Sequence, residues 1–503
     1  MMFMRAELVG IVIRSFLRSL SLFQFESKNP GLIQEKQLVK ILKKSKNTEF
    51  GRKYDFNEIL CSKNIVKEFQ KRIPVFDYET MHEKWWKHLR IKSNVCYPGK
   101  FKYFAKTSGT TTNKEKYIPV SSEMIGFVKK GNKRKILRLA YFDLPSKVFA
   151  KKVLYIGGST SLEKRKGQFF GDLSGIVSSQ VPKWFSYHFR PKRELTDKVD
   201  WREKIEDITL DAKNIDIGII GGIPPWILML LENIEAKVGK VQSVWPNLSL
   251  YVHGGVPFQP YEKQFKHYFK GHVKRMESYI ASEGFIAFQK VESRGMNLCL
   301  DLGVFFEFVE FSEEKISNNS NFLTLNEVKE NVPYALVLTN CSGAYRYLLG
   351  DVIKFTDLDS LEIKYVGRTK QYLSVCAEHV TPENLDLAVS LAEKELGIVV
   401  LEFCVGKPVI DDVFVHRWFV STNKKVDEKR LAESLDKHLR DINRDYNVKR
   451  QSILKKPVVK IVSMNSFRGW MESRGKLGGQ AKFPKVLTDS QYKSFINHIV
   501  NAE

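Results

Sequence analysis

The sequence predicts an α/β fold: a large N-terminal α/β domain, residues 1–367, followed by a small C-terminal α+β domain, residues 368–503. Three observations lead there. At 503 residues the chain exceeds the roughly 250–300 residues at which one hydrophobic core stops growing, so at least two domains are expected. From Lys102 onward, short β-rich runs ending in glycines (KVLYIGG, IDIGIIGG, LSLYVHGG) alternate with helical segments. After Gly367 the texture changes to a helix, strands, a long helix and a further strand.

Taken in order, the first hundred residues read as mostly helical scaffold, with apolar positions at three-to-four spacing through LIQEKQLVKIL and a Trp-rich stretch at Trp85 and Trp86. FKYFAK is expected as a strand. IDIGIIGG, IPPW and ILMLLENIEAKV read as strand, proline-bearing turn and helix, a succession that suits a mostly parallel sheet. Ligands in such sheets bind beyond the carboxyl ends of the strands, where these glycines stand. SEEKISNNSN, between Phe311 and Phe322, is expected as a surface loop and YRYLLGD as the end of a strand. Thr381 and Pro382 form an N-cap and N1 pair opening a helix to about Leu396. Strands VVLEFCV and VFVHRWFV follow, then a helix from about Asp427 to Tyr446 and a strand PVVKIVSM.

Composition narrows the function classes. Hydrophobic residues at 43% and charged residues at 27% fit a folded globular chain and argue against disorder. The cysteines (Cys61, Cys96, Cys299, Cys341, Cys376, Cys404) lie far apart with no C-x-x-C pair, so neither a zinc site nor a disulfide framework is expected, and a reducing cytoplasm fits. Ala6 to Phe23 is apolar, but Arg14 and Arg18 interrupt it and no small-residue cleavage site follows. It reads as an amphipathic helix packed on the body, without stable membrane insertion. A net charge of +24 raises nucleic acid as a partner, yet the basic residues recur along the whole chain and no helix-turn-helix, zinc-finger or RNP-type sequence accompanies them. A lysine-rich solvated surface is the expectation, with no nucleic-acid partner; part of the excess would favour an anionic substrate.

Four separated stretches carry the chemistry. TSGTTTNKEK, residues 107–116, packs hydroxyls around a glycine and can wrap phosphate oxygens, although it lacks the G-x-x-x-x-G-K-[ST] pattern of a Walker loop. YIASEG, 279–284, offers a ring, a hydroxyl and a carboxylate within five residues. YRYLLGD, 345–351, ends on a carboxylate able to accept two hydrogen bonds, and GRTK follows at 367–370. GKLGGQAKFPK, 475–485, is a glycine-bearing, lysine-rich loop. In this order and spacing they resemble the nucleotide-binding signatures of adenylate-forming enzymes, within the acyl-CoA synthetase and luciferase superfamily. The similarity is greatest to the acyl acid amido synthetase family, the plant enzymes that conjugate auxin and jasmonate and their bacterial relatives. It runs from about Phe101 to Lys485; residues 1–100 carry no usable motif.

The resemblance implies a β-barrel-like subdomain, a mobile small domain, ATP and Mg²⁺, and small-molecule partners: a carboxylic acid and an amino acid. It places Thr107, Ser108, Gly109, Thr110 and Thr111 around phosphate, Tyr279 on adenine, Ser282 on phosphate or substrate carboxylate, and Glu283 on Mg²⁺. Asp351 falls to the ribose, with Arg368 and Lys370 nearby. Lys482, in a Gln-x-Lys-x-Pro segment with Gln480 and Pro484, would neutralise the reacting carboxylate and α-phosphate, with Lys476 as rival. Ser159, Gly254 and Gly255, in glycine turns closing strands, would border the acyl pocket, and His253 reads as framework. Asn113 stands where the family usually has glycine and still tolerates a left-handed backbone. The alternatives are a coenzyme A ligase sharing the first half-reaction and a basic nucleic-acid-binding protein.

Overall fold

The structure is a computed structural model that describes all residues except 1, 23–28, 108–115, 181–187, 192–200, 257, 293, 312–315, 370–372, 374–379, 407–408, 411–412, 452–453, 475–482 and 501–503. The chain divides into two compact units, with the described parts of 1–256 and 264–364 in the first and 257–263 and 365–503 in the second.

The N-terminal hundred residues of the first unit are helical as expected: α1 (Met2–Leu22), α2 (Pro30–Ser45), α3 (Glu49–Lys53), α4 (Phe56–Cys61), α5 (Ile65–Arg72) and α6 (Tyr78–Lys84). Side-chain caps start several of them: Asn29, Thr48, Asn64 and Asp77 each accept a hydrogen bond from a first-turn amide. Trp85 and Trp86 are buried in the core of this unit, where the indole of Trp86 donates to the Gly343 carbonyl at 3.1 Å.

Two sheets follow. The smaller joins β1 (Tyr103–Thr107), β2 (Lys116–Val120), β4 (Glu163–Arg165) and β5 (Gln168–Gly171), with α7 (Ser122–Arg138) leaving β2 and α8 (Leu173–Ser178) leaving β5. The larger has twelve strands. Its parallel half is β6 (Phe189–Arg190), β3 (Lys152–Ile156), β7 (Ile217–Gly222), β8 (Leu250–Gly254) and β9 (Lys274–Ala281), side by side in that order. The glycine-ended runs are thus β3, β7 and β8, adjacent and parallel, with their carboxyl ends on one edge. Every residue of β7 is buried, and the helix after it (Pro224–Lys237) begins on proline, whose missing N–H costs nothing at that position.

The other half continues from β9 through β10 (Gly284–Gln289), β11 (Met296–Leu298), β16 (Glu362–Arg368), β15 (Tyr347–Asp357), β14 (Pro333–Asn340) and β12 (Val304–Glu310) to β13 (Phe322–Leu323). β9 and β15 stand four strand spacings apart in this order, roughly 19 Å if the sheet were flat. The Tyr279 hydroxyl on β9 nevertheless donates to Asp351 on β15 at 2.5 Å, so this half curls strongly on itself. That curl is the barrel-like subdomain.

YRYLLGD does not end a strand, as its sequence had led us to expect: Tyr347 begins β15, which runs on to Asp357. The chain leaves β14 through left-handed Gly343 (φ 80°) and Arg346 (φ 41°), and pairing with β14 resumes at Tyr347 opposite Leu338.

The second unit is α+β. Thr381 caps the helix Pro382–Leu396 in a capping box with Asn384, and Gly397 closes it in the left-handed conformation. β17 (Val400–Gly406) pairs with β20 (Arg417–Thr422), which pairs with β21 (Val458–Ile461), while β18 (Val409–Ile410) and β19 (Val413–Phe414) form a hairpin between them. VFVHRWFV is therefore two strands rather than one. Phe414 pairs with Val409 and bridges Leu454, whereas Arg417 onward pairs with β17, so the chain changes partner at Val415 and His416. The long helix likewise splits. Helix Glu428–Ile442 stops because Asn443 turns extended and spends its side chain on capping the next helix, Arg444–Arg450, accepting from the Tyr446 amide at 2.8 Å. Among the described residues no cysteine is disulfide-bonded and no helix is long and apolar enough to cross a membrane.

Candidate active site

The β9–β10 hairpin carries the YIASEG residues. Ala281 pairs with Gly284, which leaves Ser282 and Glu283 as a two-residue turn. A side chain at 284 would stand 2.9 Å from Val304, so glycine is needed where the turn enters β10. Ser282 and Glu283 are buried. The Glu283 carbonyl accepts from the side-chain Nδ2 of Asn340 at 2.8 Å, and the Asn340 side-chain Oδ1 accepts from the amides of Ser342 at 2.9 Å and Ala344 at 3.1 Å. One buried amide thus ties the hairpin turn to the loop that leads into YRYLLGD. Sequence reasoning missed Asn340, because an asparagine at a strand end reads as ordinary turn chemistry.

Tyr279 and Asp351 meet directly through the 2.5 Å hydrogen bond, with Asp351 almost fully buried. Arg346, inside the same motif, serves the framework. Its guanidinium donates to Glu307 at 3.1 Å and to the carbonyls of Gln70 and Ile73 at 2.7 Å each, and it lies 4.1 Å over the Phe322 ring. Burial raises the Glu307 carboxyl and lowers the Arg346 guanidinium, although each group pulls the other back toward its ordinary value.

Beyond β3, the turn Gly157–Ser159 is crowded by partners the motifs did not reveal. A Cβ on Gly158 would fall 2.2 Å from the Asp172 carboxylate, and the Gly158 amide donates to Ser174 at 3.0 Å. Lys204, buried, donates to the Gly157 carbonyl at 3.3 Å. Burial raises the Asp172 carboxyl, while the charges of Lys106 and Lys204 lower it. Lys106 precedes Thr107 on β1, so the root of the hydroxyl-rich segment and the turn after β3 share one charged neighbourhood. Ser159 itself accepts from the Ser161 amide at 3.1 Å. The only sequence signal for Lys204 was a basic residue on an amphipathic helix, Trp201–Asp211, which is indistinguishable from a solvated one until its burial is seen.

At the end of β8, Gly254 lies so close to β9 that a Cβ would meet the Ser278 carbonyl oxygen at 2.0 Å, and Gly255 takes φ 80°. His253 is buried and its basicity falls to about 3, chiefly through burial and then through the Arg275 charge, so it is neutral at physiological pH. Arg368 ends β16 and belongs to the second unit. Ser108, Gly109, Thr110, Thr111, Asn113, Lys370, Lys476, Gln480 and Lys482 lie outside the described residues. Among the described residues no three His, Cys, Asp or Glu side chains gather as a metal cage.

A twelve-stranded, half-parallel and half-curled sheet with a separate α+β unit defines the class. Over 94% of this chain and 92% of the other, the fold matches 2-hydroxyisobutyryl-CoA ligase, solved with an acyl adenylate, at a TM-score of 0.61 and 12% identity. It matches the GH3.15 acyl acid amido synthetase at 0.78 and 16% identity over 93% of each chain. The chain has the fold these two enzymes share. Residues 19–203 and 168–274 match the GH3 family N-terminal domain, 297–368 the central domain and 383–491 the C-terminal domain, and the chain belongs to the GH3 family. It is similar to jasmonoyl–L-amino acid synthetase JAR4 of Nicotiana attenuata, 23% identical over 82% of each chain. To indole-3-acetic acid-amido synthetase GH3.4 of Arabidopsis thaliana it is 22% identical over 94% of this chain and 92% of that one.

Proposed function

We propose that this protein adenylates a carboxylic acid with ATP and transfers the acyl group to the amine of an amino acid. The single observation that carries the reading is the succession of all three GH3 domains along the chain. In the first half-reaction a carboxylate oxygen attacks the α-phosphorus and the bond to pyrophosphate breaks. In the second, the amine nitrogen attacks the acyl carbon, AMP leaves, and the nitrogen gives up a proton. The acid is already a nucleophile, so orientation and charge neutralisation supply most of the acceleration.

In this reading Tyr279 holds adenine and Asp351 the ribose hydroxyls. Their mutual hydrogen bond fixes both side chains before nucleotide arrives. Thr107, Ser108, Gly109, Thr110, Thr111 and Ser282 surround the phosphates, Arg368 and Lys370 lie near ribose and phosphate, and Lys482 neutralises the reacting groups. Ser159, Gly254 and Gly255 border the acyl group. Mg²⁺ needs only one or two protein carboxylates beside phosphate oxygens, a part the buried Glu283 fits; when bound it would neutralise charge on the departing pyrophosphate. The small C-terminal domain is residues 368–503, and the enzyme works in the cytoplasm.

The test is acid-dependent exchange of pyrophosphate into ATP over aryl, indolyl and fatty acids, followed by product formation with amino acids and with coenzyme A. Exchange is expected with at least one acid, and Glu283→Ala and Lys482→Ala should each abolish it while circular dichroism stays unchanged. Undiminished exchange in both variants removes the site assignment. Thioester formation in place of amide would select the second reading, which the fold likeness to a coenzyme A ligase favours.

A further inference from the structure

The helix α1 is mounted the wrong way round for a segment whose task is to complete the core. Its inner side is fastened by polar groups. Arg14 donates to the carbonyls of Ala140 at 3.1 Å, Leu144 at 2.9 Å and Phe142 at 3.0 Å, and Arg18 donates to Ala140 at 3.1 Å. Gly10 lets the helix press so close that a Cβ there would stand 1.9 Å from the Ser146 carbonyl oxygen. The outer side carries Leu8, Val9, Ile11, Val12 and Phe16, each between 45 and 68% exposed. Leu8, Ile11, Val12 and Phe16 follow helical spacing, so these side chains form one stripe. Burying such side chains is favourable, and α1 leaves all five largely in water.

Three features say what covers the stripe. Its area is on the order of a few hundred Å², enough to mark an interaction site but short of the about 800 Å² per partner of a stable protein dimer. The chain carries a net charge of +24, which repels a second copy and attracts an anionic surface. Cations also stand beside α1: Arg18 and Arg138 lie 5.8 and 5.7 Å over the ring of the exposed Tyr141, whose hydroxyl meets Ser21 at 2.5 Å. An apolar helix face bordered by guanidinium groups and a tyrosine is the arrangement by which a helix lies in a membrane interface without spanning it.

We infer that α1 docks the protein reversibly on anionic lipid surfaces, its stripe inserted among acyl chains and Arg18 and Arg138 among the headgroups. This does not depend on the ligase reading. The arginines that interrupt the apolar run orient the helix on the protein body, so the same residues that prevent it from crossing a membrane hold its apolar face outward.

The experiment is flotation of the full chain with phosphatidylcholine vesicles containing about 30% phosphatidylserine, against pure phosphatidylcholine. The wild-type protein is expected to float with the anionic vesicles, less so at high salt, and to remain largely behind with the neutral ones. Val12→Glu/Phe16→Glu should lower the bound fraction roughly tenfold or more, with unchanged circular dichroism and catalytic rate in free solution. Three results would overturn the inference: no flotation of the wild type; flotation that survives the double substitution, which would assign binding to the general lysine surface; or a dimer that the substitution converts to monomer while no vesicles are bound.

Discussion

Arg346 and Glu307 show how a residue inside a functional motif can be there for the frame. Both are buried and each keeps the other charged against its environment, which makes the pair costly to break and weak as a net stabiliser. Arg346→Met should destabilise the protein by about 3–5 kcal/mol in urea unfolding, because it strands the Glu307 carboxylate. Adding Glu307→Leu should recover much of that loss; a double variant no more stable than the single one would mean that the 2.7 Å bonds to Gln70 and Ile73 carry the effect instead. Two other carboxyls give opposite pH signatures. Burial raises Asp386 to about 6, helped by Glu402 and Glu383 and opposed by Lys485, so its burial is tolerated when protonated and its contribution to stability is lost as pH rises through 6. Asp301 would also be raised by burial, but hydrogen bonds and charge from Arg134 and then Lys130 bring it down to about 2. Its contribution is present above about 4 and lost as pH falls toward 2. Asp386→Asn should therefore raise Tm at pH 8 and leave it nearly unchanged at pH 4, while Asp301→Asn should lower Tm at pH 8 with little effect at pH 2. Equal shifts at the paired pH values would show that neither charge is coupled to folding.

At the scale of elements, legibility followed the range of the forces involved. Glycine-ended strands β3, β7 and β8 and the Thr381–Pro382 helix start could be read because their signals are local: backbone freedom, a cap, a fixed φ. The break at Asn443 and the partner change at Val415–His416 could not, because a residue that caps the next helix and a strand that changes sheets reveal themselves only through tertiary pairing. The same holds for the site. Tyr279 and Asp351 were identifiable as chemistry-bearing types, yet the curl that joins them across four strand spacings has no sequence period. Lys204 and Asp172, which flank the turn after β3, were invisible because burial, rather than residue type, sets them apart from other charged residues. The two arginines of α1 were noticed for interrupting an apolar run; their three carbonyl partners in the 140–144 turn gave the physical reason they are there.

For the whole molecule, the core is divided as the chain is. The buried clusters from Leu38 to Ile363 and from Leu139 to Met276 lie in the first unit and those from Leu373 to Val486 and from Cys404 to Ile499 in the second, and each unit has its own large aromatics: Trp86 and Phe50 in one, Trp418 stacked on Phe403 at 5.6 Å in the other. Two-state unfolding is a property of single domains, so the two units should melt as two transitions. Differential scanning calorimetry of the full chain is expected to resolve them, with a calorimetric enthalpy exceeding the van't Hoff value. Trp418→Ala, which removes a fully buried indole worth about 3–5 kcal/mol, should lower one transition and leave the other in place. ATP should raise most the transition that Trp418→Ala leaves unmoved, since the residues proposed above for adenine, ribose and Mg²⁺ (Tyr279, Asp351 and Glu283) belong to the first unit and a ligand stabilises the part that binds it. A single transition, shifted as one by both the substitution and the nucleotide, would mean that the two units fold as one body and that their separate cores are thermodynamically coupled.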